Sequence, residues 1–470
     1  MGVTAAESGT YTDFANLNIG GLLPEGGDGS NEVSHLLLDI VDEMHLLQPS
    51  TNLQLSRKTP DALLHHALRV VSRGYGFPSI FNADTVVEEQ LRQGKTLADA
   101  RAGGCSGCVE VGAFGKEAYI LTGYFNLVKV LELTLHNGVD PRTGKQLGLA
   151  TGDPRVFQSF AELFAAFRRQ LAHFIEIKIK GSRLIERMYA DHMPAPFLSV
   201  LIDDCIVKGR DYNAGGARYN NTFIQMVGLG SITDGLSALK EFCFESGGGN
   251  HAPSLSLDQL LKALAENFAH DEVLRQRLVH RARKYGNDDD RADDLMRRVF
   301  DACFEEVDNR PDARGGRYRV EMLPTTCHVY FGSVTGAMPD GRQAGLPLSE
   351  GISPVQGADR HGPTAVFRSA AKMDHVKTGG TLLNMKFHPD LVAGEDSLVK
   401  WSHLIRGYFK MDGHHVQFNV VTADALRQAQ ADPQSHRDLI VRVAGYSDYF
   451  CDLSTELQEE IIARTTQTEF

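Results

Sequence analysis

The sequence has no apolar run approaching the roughly 18 residues that a membrane helix needs. Its first residues also lack the basic segment followed by an apolar one that marks a secretory leader. A cytoplasmic protein without a membrane partner is expected. Basic residues are not in surplus: 48 Lys and Arg against 60 Asp and Glu give a formal charge of −12. Nothing resembles a basic stripe that would neutralise phosphates, which excludes a general nucleic-acid binder and leaves a small molecule or another protein as partner. Cysteine is sparse, with seven residues scattered over 470 and odd in number. That suits free thiols in a reducing compartment better than a disulfide framework. There is no internal repeat of fixed period and no low-complexity linker.

What is present is enough apolar residue, 42%, to build a sizeable core. Apolar residues recur at helical spacing from Asp61 to Val71, and Pro78 to Asn82 reads as a short buried strand. Further helices are expected near 117–136, 158–190, 232–245, 257–269, 290–307, 396–410 and 454–464, with strands at Phe197 to Ile202, Cys327 to Phe331 and Val416 to Val421. Strands separated by helices predict an α/β fold with a mainly parallel sheet or barrel. The segment up to about Ser30 reads as irregular, although Tyr11-Thr12-Asp13-Phe14 sets two aromatics into it, and Ser246 to Ala252 reads as a mobile surface loop.

The densest chemical signal is Gly103-Gly104-Cys105-Ser106-Gly107-Cys108-Val109-Glu110. Its small residues let the backbone enter a confined space. A Cys-x-x-Cys pair also occurs in redox disulfides and in half-sites for zinc, but no second pair or nearby His-x-x-x-His completes a tetrahedral set. Gly112 and Gly115 keep the chain loop-like to about Lys116, where a thioredoxin-like pair would open a helix. If the loop is extended at Val109, Cys108 and Glu110 can reach one substrate, a hydrogen-atom acceptor beside a proton acceptor. The bland alternative is a buried cysteine beside a surface glutamate.

Near the other end stands Arg442-Val443-Ala444-Gly445-Tyr446-Ser447-Asp448-Tyr449-Phe450. A Gly before a Tyr is an ordinary turn. Glycine alone, however, can carry an α-radical that becomes planar and delocalises into both flanking peptide groups. Together and in this order, Gly-Cys-Val-Glu and Arg-Val-Ala-Gly-Tyr resemble the paired signatures of glycyl radical enzymes, of the pyruvate formate-lyase-like superfamily. Asp448 departs from the pattern, where many members carry a small residue.

The resemblance implies part of a pyruvate formate-lyase-like α/β barrel, its C-terminal half-barrel, with a buried Cys loop and Gly loop. Residues 1–340 would carry the Cys loop and residues 341–470 the glycine radical. It implies that Gly445 stores the radical, that Cys108 acts as thiyl and that Glu110 assists as acid or base. No cofactor would be bound; a radical S-adenosylmethionine iron-sulfur activating enzyme would install the radical on Gly445. Cys105 and Cys108 are not adjacent, unlike the acyl-transfer pair of pyruvate formate-lyases, which points to the dehydratase and lyase branch.

Within that branch, Cys108 to Glu110, Thr122 to Asn126 and Met322 to Thr326 are similar to the members that dehydrate trans-4-hydroxy-L-proline to 1-pyrroline-5-carboxylate. This makes Phe14, Tyr124 and Thr325 pocket residues, although Tyr124 read as helical could be core and Phe14 could merely anchor its loop. Another substrate of the family, an arylacetate, isethionate, a diol or the formate acetyltransferase reaction, stays open. Family members carry several hundred residues before the cysteine loop and this chain about one hundred, so an N-terminal half-barrel is expected to be missing. Partners are then the activating enzyme, a small-molecule substrate, a second copy in a homodimer and a complementary N-terminal half, with a noncatalytic fragment as the contrary reading. A metal-binding structural protein would instead hold zinc at Cys105 and Cys108.

Three further runs draw the eye. Asp203-Asp204-Cys205 reads as a strand end with solvated carboxylates, His414-His415 as polar residues at a turn in preference to an aid to the radical loop, and Asn287 to Asp290 as a helix start, because an EF-hand's closing glutamate is missing.

Overall fold

The structure is a computed structural model that describes residues 15–245 and 254–470. Two sheets organise it. In chain order their strands are β1 (Asn16–Gly20), β2 (Ser50–Leu55), β3 (Ser79–Asn82), β4 (Glu117–Asn126), β5 (Tyr219–Val227), β6 (Arg317–Met322), β7 (Thr378–Thr381), β8 (Asn384–Phe387), β9 (His415–Val420) and β10 (Thr466–Gln467). One sheet runs β1-β2-β3-β9-β8-β10 and the other β7-β6-β5-β4. All pairings are parallel except β3 with β9. Parallel neighbours need long crossovers, and helices supply them, which is the α/β arrangement that alternating strand and helix signals predicted. The first sheet joins three strands from the start of the chain to three from its end, bringing residues near 80 beside residues near 415.

Helices form where apolar stripes and caps coincide. The 33-residue helix Phe160–His192 starts at Ser159, whose side chain accepts from Glu162 N, and buries Leu163, Phe167, Leu171 and Ile175 along one face. Asp289 caps Asp290–Val307 in the same way, as the helix-start reading expected. One large core lies between sheets and helices, with Phe387, Trp401 and Phe418 packed ring against ring. A second apolar cluster gathers Cys105, Cys108, Val109, Val443, Ala444 and Tyr446. Among the described residues, no helix is long and apolar enough to cross a membrane.

Several expectations are corrected. Residues 117–126, expected in a helix, form β4, and the helix begins only at Leu127. Short apolar runs fit both periods, and pairing with β5 decides in favour of the strand. Phe197 to Ile202 lies mostly in a short helix, Pro196–Leu201, whose side chains are largely exposed, so no sheet face selects a strand there. Cys327 to Phe331 begins the helix Cys327–Ser333, because β6 has already ended before Pro324. Asn16–Gly20 is a strand within the segment expected to be irregular. Asp203 and Asp204 lie beside a short helix and both pair with Arg218, at 2.9 and 3.1 Å. His414 and His415 are completely buried, and His415 opens β9. Phe14 and the loop Ser246 to Ala252 lie outside the described residues.

Candidate active site

The Cys loop is a hairpin. Gly104–Cys105 pairs antiparallel with Val111–Gly112, and Ser106 N donates to Glu110 O at 2.7 Å. Asn18, on β1, anchors its base by accepting from Cys105 N at 3.1 Å and donating to Cys105 O at 2.8 Å. At the tip, the Glu110 carboxylate turns back onto its own loop and accepts from Val109 N at 2.8 Å. A β-carbon on Gly107 would stand 2.3 Å from Glu110 Oε2, so only glycine leaves room for that carboxyl. Burial nevertheless raises the Glu110 pKa above the ordinary range, against the opposing pull of the amides of Glu110, Val109 and Cys108.

Cys105 and Cys108 are both free and buried. Burial first, and the neighbouring Glu110 charge second, push both thiols well above the usual range. That suppresses thiolate and conserves the S–H bond, the form from which a hydrogen atom is exchanged. Cys105 Sγ points to Gly107 O at 3.2 Å.

The Gly loop is a second hairpin, Ile440–Arg442 against Ser447–Tyr449. Gly445 takes the third position of its turn with φ +85°, a conformation L side chains rarely adopt. A β-carbon there would lie 2.0 Å from Cys108 Cβ and 2.6 Å from Cys108 Sγ. The glycine is therefore required twice, by its backbone and by the thiol against it. Three side chains from the first sheet, and Arg464 from the end of the helix Thr455–Ala463, grip this loop by its backbone. Gln417 accepts from Gly445 N at 3.2 Å, Asn419 donates to Arg442 O at 2.7 Å, and Asn384 and Arg464 donate to Val443 O at 3.0 and 2.9 Å.

Arg442 is itself completely buried, donating to Gln417 at 2.8 Å and Ser79 at 2.6 Å, and burial brings its pKa down to about 10.

Tyr124 and Thr325 meet at the carboxyl ends of the second sheet, where ligands of parallel sheets characteristically bind. Their hydroxyls are 2.6 Å apart. A register shift between Leu121 and Tyr124 re-aims the end of β4. Thr325 has φ +51°, strained for a β-branched residue and of the kind that clusters at functional sites. Burial raises the Tyr124 pKa, and the hydrogen bond with Thr325 opposes that rise. Glu321, on β6, is completely buried and accepts from Tyr119 OH at 3.3 Å; burial, then Glu110, hold its pKa well above normal. Among the described residues, no three His, Cys, Asp or Glu side chains gather closely enough to hold a metal ion.

Cys108 and Glu110 on one loop thus meet Gly445 from more than three hundred residues on, and Tyr124 meets Thr325 from about two hundred residues on. Sequence reasoning missed Gln417, Asn384, Asn419, Arg464 and Glu321, which are lone polar residues without a motif. It gave the lesser weight to His414 as an aid to the loops.

A solvent-excluded thiol pressed against a glycine α-carbon, with a carboxyl two residues on, is equipped for hydrogen-atom transfer and assisted proton transfer. The model of the "Pyruvate formate lyase-like" family matches residues 1–332 and that of "Glycine radical" residues 348–451. The chain belongs to this family of glycyl radical enzymes. Trans-4-hydroxy-L-proline dehydratase of Clostridioides difficile is 55% identical over 468 residues, covering 100% of this chain and 59% of that protein. The crystal structure of the Clostridioides difficile hydroxyproline dehydratase with trans-4-hydroxy-L-proline bound superposes with a TM-score of 0.96 at 55% identity, over 100% of this chain and 59% of that one. The glycerol-bound glycerol dehydratase from Clostridium butyricum follows at 0.92 and 38%, over 96% and 57%. The chain therefore spans somewhat over half the length of these relatives.

Proposed function

We propose that this chain supplies the Cys loop and Gly loop of a glycyl radical hydro-lyase that converts trans-4-hydroxy-L-proline to 1-pyrroline-5-carboxylate. Residues 1–340 form the barrel portion and residues 341–470 the glycine radical portion. The observation that carries the reading is the contact between Gly445 and Cys108, where a β-carbon would overlap the thiol side chain. The substrate assignment is supported by 55% identity to a hydroxyproline dehydratase against 38% to a glycerol dehydratase.

In this reading, a radical S-adenosylmethionine iron-sulfur activating enzyme removes one α-hydrogen from Gly445. The Gly445 radical takes the hydrogen of the Cys108 thiol, leaving a thiyl. The thiyl abstracts hydrogen from the ring carbon next to nitrogen. The C–O bond of the neighbouring carbon then breaks, and hydroxide leaves as water with the proton released from the ring nitrogen, which Glu110 relays. Cys108 returns its hydrogen to the carbon that lost oxygen, giving the cyclic imine, and Gly445 restores the thiyl's hydrogen. Tyr124 and Thr325 form walls of the substrate pocket. The thiols require a reducing cytoplasm, the enzyme works as a homodimer, and a complementary N-terminal portion completes the barrel.

The test is anaerobic activation with a cognate activating enzyme, with and without the N-terminal portion, followed by electron paramagnetic resonance and product assay. The expected result is a glycine-centred doublet absent from Gly445→Ala, with pyrroline carboxylate formed. No radical in either preparation would sink the reading, and a radical without product would redirect it to another substrate.

A further inference from the structure

Both loops meet one strand. From its leading edge, the His414 ring reaches the Cys loop: Nε2 lies 3.3 Å from Val109 O, the carbonyl between Cys108 and Glu110. Three residues on, Gln417 accepts from Gly445 N at 3.2 Å and from Arg442 Nε at 2.8 Å. We infer that His414 and Gln417 are positioning residues that use β9 as a common gauge for the separation of the Cys108 sulfur from the Gly445 α-carbon. The inference rests on the radical reading above and goes beyond it, because neither side chain need touch substrate.

The proton arrangement supports the roles. A carbonyl only accepts, so His414 Nε2 must carry hydrogen. The other ring nitrogen, Nδ1, lies 2.9 Å from Glu89 Oε1, and both side chains are completely buried. Whether the shared proton sits on the imidazole or on Glu89, Nε2–H still faces Val109 O. Thr378, on β7, also donates to Glu89, at 3.4 Å, and so ties the dyad to the second sheet. On the glycine side, the Gln417 oxygen takes two donors while its amide group donates to Asn384, which in turn donates to Val443 O at 3.0 Å. Every amide in that chain has one consistent orientation, and the buried Arg442 charge polarises it from one end. The hydrogen bond to Gly445 N also fixes the peptide group into which the radical spin spreads.

Hydrogen transfer between the two centres can be timed directly. In deuterated buffer the Cys108 thiol carries deuterium. The Gly445 radical breaks that S–D bond and forms Cα–D, leaving a thiyl, and the reverse transfer of hydrogen leaves a deuterated glycyl radical. The doublet from the remaining α-hydrogen then collapses. Cys108→Ala should abolish this collapse.

The test variants are Gln417→Leu and the double change Glu89→Gln with His414→Leu, which strands no buried carboxylate. Each is expected to form the radical yet slow the collapse on the order of 10-fold or more, since small misplacements cost that much. Gln417→Glu, keeping the acceptor, and His414→Gln, keeping a donor, should restore it. Collapse at the parent rate in both leucine variants overturns the inference. If the parent itself gives no doublet, the radical reading fails, and amide hydrogen exchange still decides the gauge. Peptides 103–112 and 440–449 must lose protection in the leucine variants, and unchanged protection refutes the gauge.

Discussion

Replacing Gly445 by alanine is the sharpest probe of the contact between the loops. Two costs add. At φ +85° an alanine loses about 1–2 kcal/mol to the left-handed conformation. Its β-carbon would also stand 2.0 Å from Cys108 Cβ and 2.8 Å from Cys108 Cα, where carbon atoms prefer about 3.5–4 Å. The obstacle includes backbone, so rotating one side chain does not relieve it. The Cys hairpin or the Gly hairpin must move by more than an ångström, an overpacking that costs about 1–3 kcal/mol.

The expected loss is thus about 2–5 kcal/mol, a sizeable part of what holds an ordinary domain together. A chain this long need not unfold in one step, so the loss should be read locally. The assay is the alkylation rate of Cys108 under native conditions, with amide exchange of residues 103–112 beside it. In the parent the thiol is only 8% exposed and held neutral, and it should react slowly. The alanine variant should react faster on the order of 10-fold or more, following the opening free energy. Unchanged alkylation and unchanged protection would show that the two loops are not in contact, and the argument for Cys108 and Gly445 as partners would fall with it.

Other expectations follow from the same geometry. Glu110→Gln should leave radical formation intact and lower dehydration by about 10²–10⁴-fold, measured in the enzyme reconstituted with its N-terminal portion; undiminished turnover would remove Glu110 from the mechanism. Tyr124→Phe breaks the hydrogen bond to Thr325, worth about 0.5–1.5 kcal/mol, and should reduce kcat/KM by up to about tenfold without changing the radical yield. Burial lifts Glu350 to about 8 and Asp234 to about 7, so the folded chain retains protons that the unfolded chain releases near pH ~4. The folded state binds more protons between those values, and these groups lower stability as pH rises through the window. Glu350→Gln should therefore gain on the parent as pH goes from about 5 to about 8, read as the difference in urea midpoint; a constant difference would mean that Glu350 ionises normally.

The legible part of the fold was the part governed by local rules. Phe160–His192 and Asp290–Val307 show apolar stripes with capping side chains at their starts, and Asp61–Val70 shows its stripe directly after Pro60, so the signals lie within a few residues of sequence. Glu117–Asn126 was misread because a short run with Tyr119, Ile120, Phe125 and Leu127 satisfies both periods. Its pairing with β5, about one hundred residues away, is what settles it. The same holds at Cys327, where Val329, Tyr330 and Phe331 favour a strand by propensity and the end of β6 before Pro324 overrides it.

The site divides in the same way. Cys108, Glu110 and Gly445 stood out because their chemistry needs small residues around a reactive one, and that need writes itself into consecutive positions. The residues that hold them do not. Gln417 and Asn384 are unremarkable in sequence, yet each spends its amide on a backbone group some sixty residues away or fewer: Gln417 on Gly445 N, Asn384 on Val443 O. His414 was visible as one of two adjacent histidines, and a turn seemed the cheaper home for such polar rings. Burial reverses that preference, because a completely buried imidazole must find partners. Its partners are Glu89 and the Val109 carbonyl, more than three hundred residues earlier in the chain and meeting it only where β3 pairs antiparallel with β9. The one antiparallel pairing in the first sheet is therefore what lets a strand near the end of the chain reach the Cys loop near its start.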